Sequence, residues 1–394
     1  MKKDIKIVCG ANAGDEGKGM MVDYFSHLAQ TRSENCIVVC ANGGPQRGHT
    51  VTTPEGNRHI FRHLGSGTFT GADTYLAEKF IVNPILFRQE YEEMVQVYGI
   101  VPQVFVHPNC MVTTPFDMMI NQIIEEHRGE NRHGSCGCGI WETIVRDGKC
   151  LSEMAALNHF ELRKYISIIQ HKYLPKRLRQ AGISKVPESW LDITKYPNFI
   201  WNYAEDFNFF LAHTVIDDDT VLLKYQNIIF ENGQGLLLDQ SNKEYGNHTT
   251  PSSTGVKNPA EIINNLFLSD ADCTIETCYV SRTYMTRHGA GPMDRECSRE
   301  EIGAPEDQTN VPNEFQGSLR YGKLDVNDLH KRIHLDFEDF GRGKISLALT
   351  HVTSRSDKWP FEDCVQNFDM PCYISTGLTR EKITEIGGLR FGEH

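Results

Sequence analysis

The sequence lacks any long hydrophobic run, although hydrophobic residues make up 39% of its 394 residues. A helix that spans a bilayer needs about 18 or more consecutive apolar residues. The first residues, Met1–Asp4, lead into an apolar stretch that is too short and too interrupted for the core of a signal peptide. We therefore expect no membrane segment and a location in the cytoplasm.

The sequence also lacks an excess of positive charge. Its 40 Lys and Arg residues stand against 52 Asp and Glu residues, which gives a formal net charge of -12. This is the wrong sign for a protein whose affinity comes from covering nucleic acid phosphates, so we expect no polymeric nucleic acid partner. A small phosphorylated ligand is still compatible with the composition, because a few backbone N–H groups and cations can bind phosphate on an acidic protein.

Cysteines in zinc-site spacing are missing as well. The chain has 12 cysteines, and its one tight pair, Cys136 and Cys138, has no second pair at a suitable distance. We expect mostly free thiols, as in a reducing compartment. Internal repeats and linkers rich in Pro, Gly or Ser are also missing, so we predict a single domain over residues 1–394, with a helical insertion around 115–220.

What the sequence does contain is an alternation of apolar strands and amphipathic helices. Helical stretches are predicted around 84–98, 115–127 and 152–182. Alternation of this kind predicts an α/β fold with a central, mostly parallel sheet flanked by helices. The predicted strands are Ile5–Cys9, Cys36–Cys40, Val104–Val106, Asn227–Phe230, Thr274–Val280 and Ile345–Leu349.

The first strand runs into a glycine-rich loop, Gly10–Gly19, and then a helix. This order directs helix N-terminal amides at a phosphate. The loop is shorter than the usual phosphate-binding loop, and no hydroxyl follows Lys18. Asp15 is repulsive to phosphate unless it holds a cation or moves a proton, so it is a candidate magnesium ligand, general base or both. A simple glycine turn that caps the helix is the alternative.

Six motifs occur in the order and approximate spacing of the adenylosuccinate synthetase family, which the chain resembles from its first strand to its last twenty residues. They are Gly14–Gly19, Gly43–Thr50, Phe230–Asp239, Tyr284–Pro292, Asn313–Phe315 and Ile374–Gly377. The resemblance implies a fold related to the phosphate-loop nucleoside triphosphatases. It also implies a homodimer that shares an active-site residue between subunits, and a reaction that joins aspartate to C6 of a 6-oxopurine nucleotide while a triphosphate is cleaved.

The resemblance further implies roles for individual residues. Asp15 would remove the N1 proton of the purine, His49 would donate to the transferring phosphoryl group, and Gln234 would orient the 6-oxo edge. Mg2+ would be held by the Asp15 carboxylate and the Gly48 carbonyl. Taken alone, His49 is an ordinary structural or surface histidine, and only its loop context favours the catalytic role.

The same resemblance predicts three binding sets. The set for the nucleotide donor consists of Gly14, Glu16, Gly17, Lys18, Gly19, Thr50, Thr353, Ser375 and Gly377. The set for the purine nucleotide consists of Asp15, Gln46, Ser135, Cys136, Arg146, Asn232, Gln234 and Thr249, where Arg146 stands near the position of an arginine shared between subunits and is otherwise a solvated helix arginine. Ser318 and Arg320 are predicted to bind aspartate.

Departures from the family pattern bear on the substrates. Thr353 replaces the aspartate that recognises guanine in GTP, which favours ATP as the donor. The segment Asn313–Asp325 is short and keeps one arginine, which makes a deoxyribose acceptable, and Gln46-Arg47 changes the second loop near the purine. These features resemble the phage branch, which converts dGMP, aspartate and ATP into 2-amino-2'-deoxyadenylosuccinate.

Asp15 points the other way, because many members of that branch have serine there. A carboxylate can nevertheless accept from both N1–H and the 2-amino group of guanine. Ordinary adenylosuccinate synthetase activity on IMP with GTP is the alternative, and a nucleotide-sensing relic without activity is a third interpretation.

Overall fold

A computed structural model describes residues 2–196, 198–267, 269, 271–304, 317–352 and 372–386. Within these ranges ten strands form one sheet in the order β15-β14-β13-β9-β1-β8-β2-β5-β6-β7, and a three-stranded sheet and a hairpin accompany it. The strands are β1 (Lys3–Gly10), β2 (Cys36–Cys40), β3 (His49–Thr52), β4 (Arg58–Phe61), β5 (Asp73–Leu76), β6 (Val104–Val106), β7 (Val215–Ile216), β8 (Asn227–Glu231), β9 (Cys273–Arg282), β10 (Met285–Arg287), β11 (Glu296–Cys297), β12 (Arg320–Gly322), β13 (Lys344–Thr350), β14 (Cys372–Ser375) and β15 (Ile383–Ile386).

Helices occupy most of the connections between the strands. A short π-helical stretch, Ile169–Tyr173, joins the sixth helix to the seventh. The helices are α1 (Lys18–Thr31), α2 (Pro84–Tyr98), α3 (Pro115–Arg128), α4 (Ile140–Arg146), α5 (Leu151–Ala155), α6 (His159–Ile168), α7 (Leu174–Gln180), α8 (Glu188–Lys195), α9 (Phe199–Ala212), α10 (Lys257–Leu266) and α11 (Val326–Glu338).

The main sheet is parallel along almost its whole width. Among the described strands, each neighbouring pair of the ten is parallel except β14 and β15. Strand β2 is buried at all five positions, as its uninterrupted apolar run predicts for a strand covered on both faces. The predicted α/β class with a mostly parallel sheet flanked by helices is confirmed.

Side chains of β1 alternate between two cores. Ile5 and Ile7 pack in one cluster with residues of α10 and α11, whereas Val8 packs in another with residues of α1. This alternation follows from the two-residue period of a strand. Helices therefore cover the sheet on both faces, which leaves the carboxyl ends of its strands as the exposed edge where loops can build a site.

The predicted helix over 152–182 is divided into shorter helices. Helix α5 ends at Ala155, and α6 begins after Asn158, whose side-chain oxygen accepts from the backbone N–H groups of Phe160 and Glu161. Asparagine is a favourable N-cap residue, so the break has a local cause. Helices α3 to α9 pack largely in a third hydrophobic cluster that also contains residues of β5 and β6.

Candidate active site

Loops from the carboxyl ends of the adjacent strands β13, β9, β1, β8 and β2 meet around one cleft of about 1350 Å3. In a parallel sheet these ends lie on the same edge, where open α/β folds bind ligands. Residues from the end of α3, from the segment after it and from the segment around Thr249 form part of the lining. The cleft is therefore shared by the sheet edge and the helical region.

The loop after β1 is closed by its own acidic side chain. The Glu16 carboxylate accepts from the backbone N–H groups of Asn12 at 3.0 Å and Gly14 at 2.8 Å. Its second oxygen accepts from the Lys18 ammonium at 2.8 Å, and both side chains are buried. Glu16 thus stabilises the loop conformation, and a bound phosphate would compete with it for Lys18.

Glycine is required at Gly17, where the loop turns into α1. Its φ of +98° lies in the left-handed region, and a Cβ there would stand 3.1 Å from the Thr350 side chain. The Thr350 hydroxyl donates to the Glu16 carbonyl at 2.6 Å. The end of β13 therefore supports the loop at the point where it leads into α1.

Asp15 stands in the cleft at a φ of +60°. Arg282, at the end of β9, donates from Nε to the Asp15 backbone carbonyl. One carboxylate oxygen, Oδ2, lies 3.2 Å from Nε2 of His288, and both side chains are partly exposed. The backbone of Asp15 is thus fixed from β9, and its carboxylate faces space that a ligand can enter.

His49 is held by a buried carboxylate at the end of β8. Its Nδ1 lies 2.7 Å from Oε1 of Glu231, a residue that is 0% exposed. Burial lowers the pKa of His49, although Glu231 opposes that effect. Burial raises the pKa of the Glu231 carboxyl, but the charge of Arg47 and the hydrogen bonds from His49 and Ser66 outweigh burial and lower that pKa to about 2.

Gln234 lies in the loop after β8, at a φ of +66°. A Cβ built on Gly14 would stand 3.9 Å from the Gln234 side-chain oxygen, so the amide lies beside the loop that carries Asp15. Asp15, His49 and Gln234 come from three segments far apart in the sequence and all line the same cleft.

The segment after α3 forms another part of the cleft. Glu125 accepts from the backbone N–H groups of His133 and Gly134, both at 3.1 Å, and the Ser135 hydroxyl donates to Asn121 at 2.9 Å. A hydrogen bond with Cys138 lowers the pKa of the Cys136 thiol, while that of Cys138 is raised. Hydroxyl and thiol are thereby presented in one fixed turn.

Most of the predicted site residues line the cleft. Those that do are Gly14, Asp15, Glu16, Gly17, Lys18, Gly19, Gln46, Gly48, His49, Thr50, Ser135, Cys136, Gln234, Thr249 and Gly377. Thr353 and the motif Asn313–Phe315 lie outside the described residues.

Arg146 departs from its predicted role. Its guanidinium is 4% exposed and is 2.8 Å from the Asp117 carboxylate, and it also donates to the Val112 carbonyl at 2.7 Å. The cleft lining does not include it. A buried, paired cation of this kind cannot reach a phosphate without leaving Asp117 unpaired, so the structure favours a structural role, which differs also from a solvated helix arginine.

Asn232, Ser375 and Arg320 lie outside the cleft lining too, as does Ser318. The Asn232 amide is buried and donates to the Gly255 carbonyl at 2.6 Å, and the Ser375 hydroxyl donates to the Gly377 carbonyl at 2.8 Å. The Arg320 fork binds Glu296, with distances of 2.8 and 2.6 Å. Asn232 and Ser375 therefore shape the loops behind the cleft rather than the surface of the cleft.

Several residues of the site were not assigned a role from the sequence. Glu231 stands inside a recognised motif, but nothing local shows that its carboxylate meets His49. Arg282 lies just before the motif Tyr284–Pro292, and His288 lies inside it. Arg62 belongs to none of the six motifs. The further cleft residues of this group are Arg62, Tyr284, Arg282, His288 and His351.

Within the described ranges, no group of three or more His, Cys, Asp or Glu side chains could hold a metal ion. The helices of the same ranges include none with the length and apolar character needed to cross a bilayer. The eleven cysteines of the described part of the chain are free thiols.

A family model described as adenylosuccinate synthetase matches residues 7–331, well over half of the chain. The chain belongs to the adenylosuccinate synthetase family. Adenylosuccinate synthetases of this family include that of Gloeobacter violaceus, which is 29% identical over 306 residues and is matched over 75% of this chain and 64% of its own length. The organellar chromatophore enzyme of Paulinella chromatophora is 28% identical over 342 residues, with 82% and 73% covered.

The chain spans slightly less than two thirds of the length of the first curated relatives, between 64% and 66%. Two solved structures share the fold. Fully ligated adenylosuccinate synthetase from Plasmodium falciparum has a TM-score of 0.65 at 16% identity, and the structural match covers 97% of this chain and 87% of the Plasmodium chain. Succinoaminodeoxyadenylate synthetase of cyanophage S-2L, bound to dGMP and dATP, has a TM-score of 0.60 at 15% identity, with 98% and 95% covered.

Proposed function

We propose that this protein is a ligase that uses ATP to join the amino group of L-aspartate to C6 of dGMP. The products would be 2-amino-2'-deoxyadenylosuccinate, ADP and phosphate, so the protein would serve the synthesis of 2-aminoadenine DNA precursors. The observation that carries the ligase reaction is the meeting of Asp15, His49 and Gln234 beside a phosphate-type loop in one cleft. Family membership supports the same reaction class.

The first step would activate the 6-oxo group of the purine. Asp15 accepts the N1 proton, so O6 becomes nucleophilic. O6 then attacks the γ-phosphorus of the triphosphate, and the bond between the γ-phosphorus and the β,γ-bridging oxygen breaks. The Gln234 amide orients the 6-oxo edge. His49 stabilises charge on the transferring phosphoryl group, and Lys18, released from Glu16, stabilises the donor phosphates.

The second step would form the C–N bond. The aspartate amine attacks C6, the C6–O6 bond breaks, and phosphate leaves with the proton that the amine nitrogen loses. We propose that Arg320 and Ser318 bind the aspartate. The Glu296 side chain that now binds Arg320 is 45% exposed, and an exposed pair is worth only about 0–1 kcal/mol. An incoming aspartate carboxylate can therefore replace it.

Mg2+ fits the oxygen ligands of this site. The ion commonly binds one or two protein carboxylates together with substrate phosphates, which agrees with the single carboxylate of Asp15 and the carbonyl of Gly48. When bound, it would neutralise charge on the β- and γ-phosphates. Gly14 to Gly19, Thr50, Ser375 and Gly377 would surround those phosphates directly or from the loops behind them.

ATP as the donor rests on the residues after β13. The family's guanine-recognising carboxylate is replaced by Thr353, and His351 is in the cleft at a φ of +57°. A threonine hydroxyl accepts more weakly than a carboxylate that can bind N1–H and the 2-amino group together, so the site loses its strongest means of selecting guanine. An adenine base is therefore expected at this end of the cleft.

dGMP as the acceptor rests on the shortened aspartate-loop segment and on the changed second loop. The cyanophage S-2L enzyme, whose structure contains dGMP and a dATP energy donor, has the same fold and supports this choice. Gln46, Ser135, Cys136 and Thr249 lie in the cleft where the purine nucleotide would bind. We also propose a homodimer, as the family resemblance implies.

IMP with GTP is the second candidate pair. Its support is that Asp15 is retained and that the first sequence relatives are adenylosuccinate synthetases. With this pair, the chain would use the same acceptor and the same donor as ordinary enzymes of the family.

A substrate matrix tests the proposal. Purified protein with aspartate and Mg2+ is given IMP, GMP or dGMP, each with ATP or GTP, and phosphate release is measured together with the mass of the succinylated product. We expect the highest kcat/KM for dGMP with ATP. Turnover confined to IMP with GTP would establish the second candidate instead, and binding without turnover would indicate a sensor.

A further inference from the structure

Arg47 is a buried cation in the wall of the cleft. Its side chain is 1% exposed, and its guanidinium donates to the backbone carbonyls of Arg62 at 2.6 Å and Leu64 at 3.0 Å. It also stands 5.5 Å from the centre of the Phe80 ring. A charge buried this completely is costly unless it is paired and hydrogen-bonded, so its partner deserves a functional explanation.

The partner is Glu231, at the end of β8. Arg47 Nη1 lies 3.5 Å from Oε2 of that carboxylate and 3.4 Å from the Glu231 backbone oxygen. The Ser66 N–H donates to Oε2 at 3.1 Å, and the Ser66 hydroxyl donates to Oε1. Arg47 is thus the fixed positive charge beside a fully buried carboxylate, which Ser66 also helps to orient.

Glu231 in turn determines how His49 is oriented. An ionised carboxylate only accepts hydrogen bonds, so the 2.7 Å contact requires that His49 carry a proton on Nδ1. Nε2 is then the nitrogen left for the cleft. In an imidazole the partner of one nitrogen selects the tautomer and the ring orientation.

We propose that Arg47 is a positioning residue for His49, acting through Glu231. The chain departs from its family at this position, so the device belongs to this protein and to relatives that share the arginine. The inference rests on the proposed function only in giving His49 a role during turnover. The arrangement of the three side chains can be tested without any substrate.

A purely structural Arg47 would give different results. In that case the arginine would only tie the carbonyls of Arg62 and Leu64, and its loss would lower stability without changing His49. The decisive comparison is therefore between the state of the His49 ring and the turnover number, measured in the same variants.

The experiment uses histidine labelled with 15N in the ligand-free full chain, with H49N to assign the His49 signals. We expect a wild-type His49 protonated on Nδ1. In R47M that signal should move towards the other tautomer, and kcat should fall by up to about a hundredfold, the cost of a displaced catalytic group. KM for the purine nucleotide should change by less than about twofold.

R177M is the matched control, because Arg177 binds Glu142 through Nε at 2.7 Å and has no contact with His49 or Glu231 among the described residues. It should leave both the His49 signal and kcat unchanged. An R47M protein with a wild-type His49 signal would overturn the proposal, whatever its activity.

R47K covers the case in which R47M does not fold. Lysine keeps the charge, so the His49 signal should be retained and kcat should stay within about tenfold, less than the loss expected on removing the charge. If R47K instead loses both the wild-type His49 signal and kcat, that result also supports the coupling of Arg47 to His49. A loss of kcat of more than about tenfold with an unchanged His49 signal, or a changed signal with an unchanged kcat, would overturn it. If no purine is turned over at all, the proposed function fails while the spectrum still tests the positioning of His49.

Discussion

The carboxylate of Asp15 is the group on which the proposed chemistry depends most directly. Its backbone is held in the left-handed region, and its Oδ2 lies 3.2 Å from His288 Nε2. The second oxygen has no such neighbour among the described residues. A carboxylate arranged in this way can accept the N1 proton of a purine without first breaking a buried ion pair.

Asp15→Asn is expected to abolish phosphoryl transfer to O6. Asparagine tolerates a positive φ and has the same shape, so the loop should be preserved, but the amide cannot accept the proton. We expect kcat to fall by roughly 10²–10⁴-fold, the usual contribution of a general base. Calorimetry should show purine nucleotide binding retained. Turnover near the wild-type value would remove Asp15 from this role.

At the level of elements, Arg146 ties α4 to the start of α3. Asp117 forms a capping box with Thr114, whose backbone N–H donates to it at 2.7 Å, and the same carboxylate binds Arg146 Nε at 2.8 Å. The burial of Asp117 makes this pair part of the helical region's internal structure.

Arg146→Met should therefore lower the free energy of unfolding by about 3–5 kcal/mol, because it leaves a buried carboxylate unpaired. Urea denaturation measures the change. Lys149→Met is the control: its pair with Glu153 is exposed at 3.9 Å and should contribute less than about 1 kcal/mol. A stable Arg146→Met protein with a raised KM for the purine nucleotide would restore the predicted phosphate-binding role.

The strands differed in how far the sequence could predict them. β2 and β6 have the predicted bounds, and β1, β8, β9 and β13 extend the predicted runs by a few residues. The hairpin of β3 and β4 was not predicted, because its short strands are rich in polar residues and glycine-containing loops flank them. Such strands form only when the rest of the fold supplies their partners.

At the scale of the whole molecule, the ten-stranded sheet of the described residues connects the hydrophobic clusters. The cluster that contains α3 to α9 includes Leu76 and Val104 of the sheet, and the cluster on α10 and α11 includes Ile37 and Ile228. Because both clusters bury parts of the same sheet, we propose that residues 1–394 form one domain with the helical segment as an insertion.

A single cooperative thermal transition is expected for the whole chain, monitored by calorimetry and by the fluorescence of its four tryptophans, three of which lie in the helical region. Addition of dGMP at a hundredfold excess over its Kd should stabilise the native state by about 2.7 kcal/mol and move that one transition upwards. IMP at the same concentration is the control for acceptor selectivity. Two transitions, of which dGMP moves only one, would contradict the single domain.

The sequence by itself determined the mostly parallel sheet, the positions of its main strands along the chain and the loops that carry Asp15, His49 and Gln234. Each of these depends on a local pattern: an apolar run, a glycine loop and a helix that follows. The carboxyl ends of parallel strands meet at one edge, so recognising the strands was enough to expect their loops to form one site.

Only the tertiary structure decided which charged groups are available there. Arg146 is paired with Asp117, Arg320 with Glu296, and Arg47 with Glu231, across separations of 29, 24 and 184 residues. Whether an arginine binds a ligand or a carboxylate of its own chain depends on which side chains folding brings within hydrogen-bond distance. That proximity also determines burial, and burial determines how strongly each charge must be neutralised.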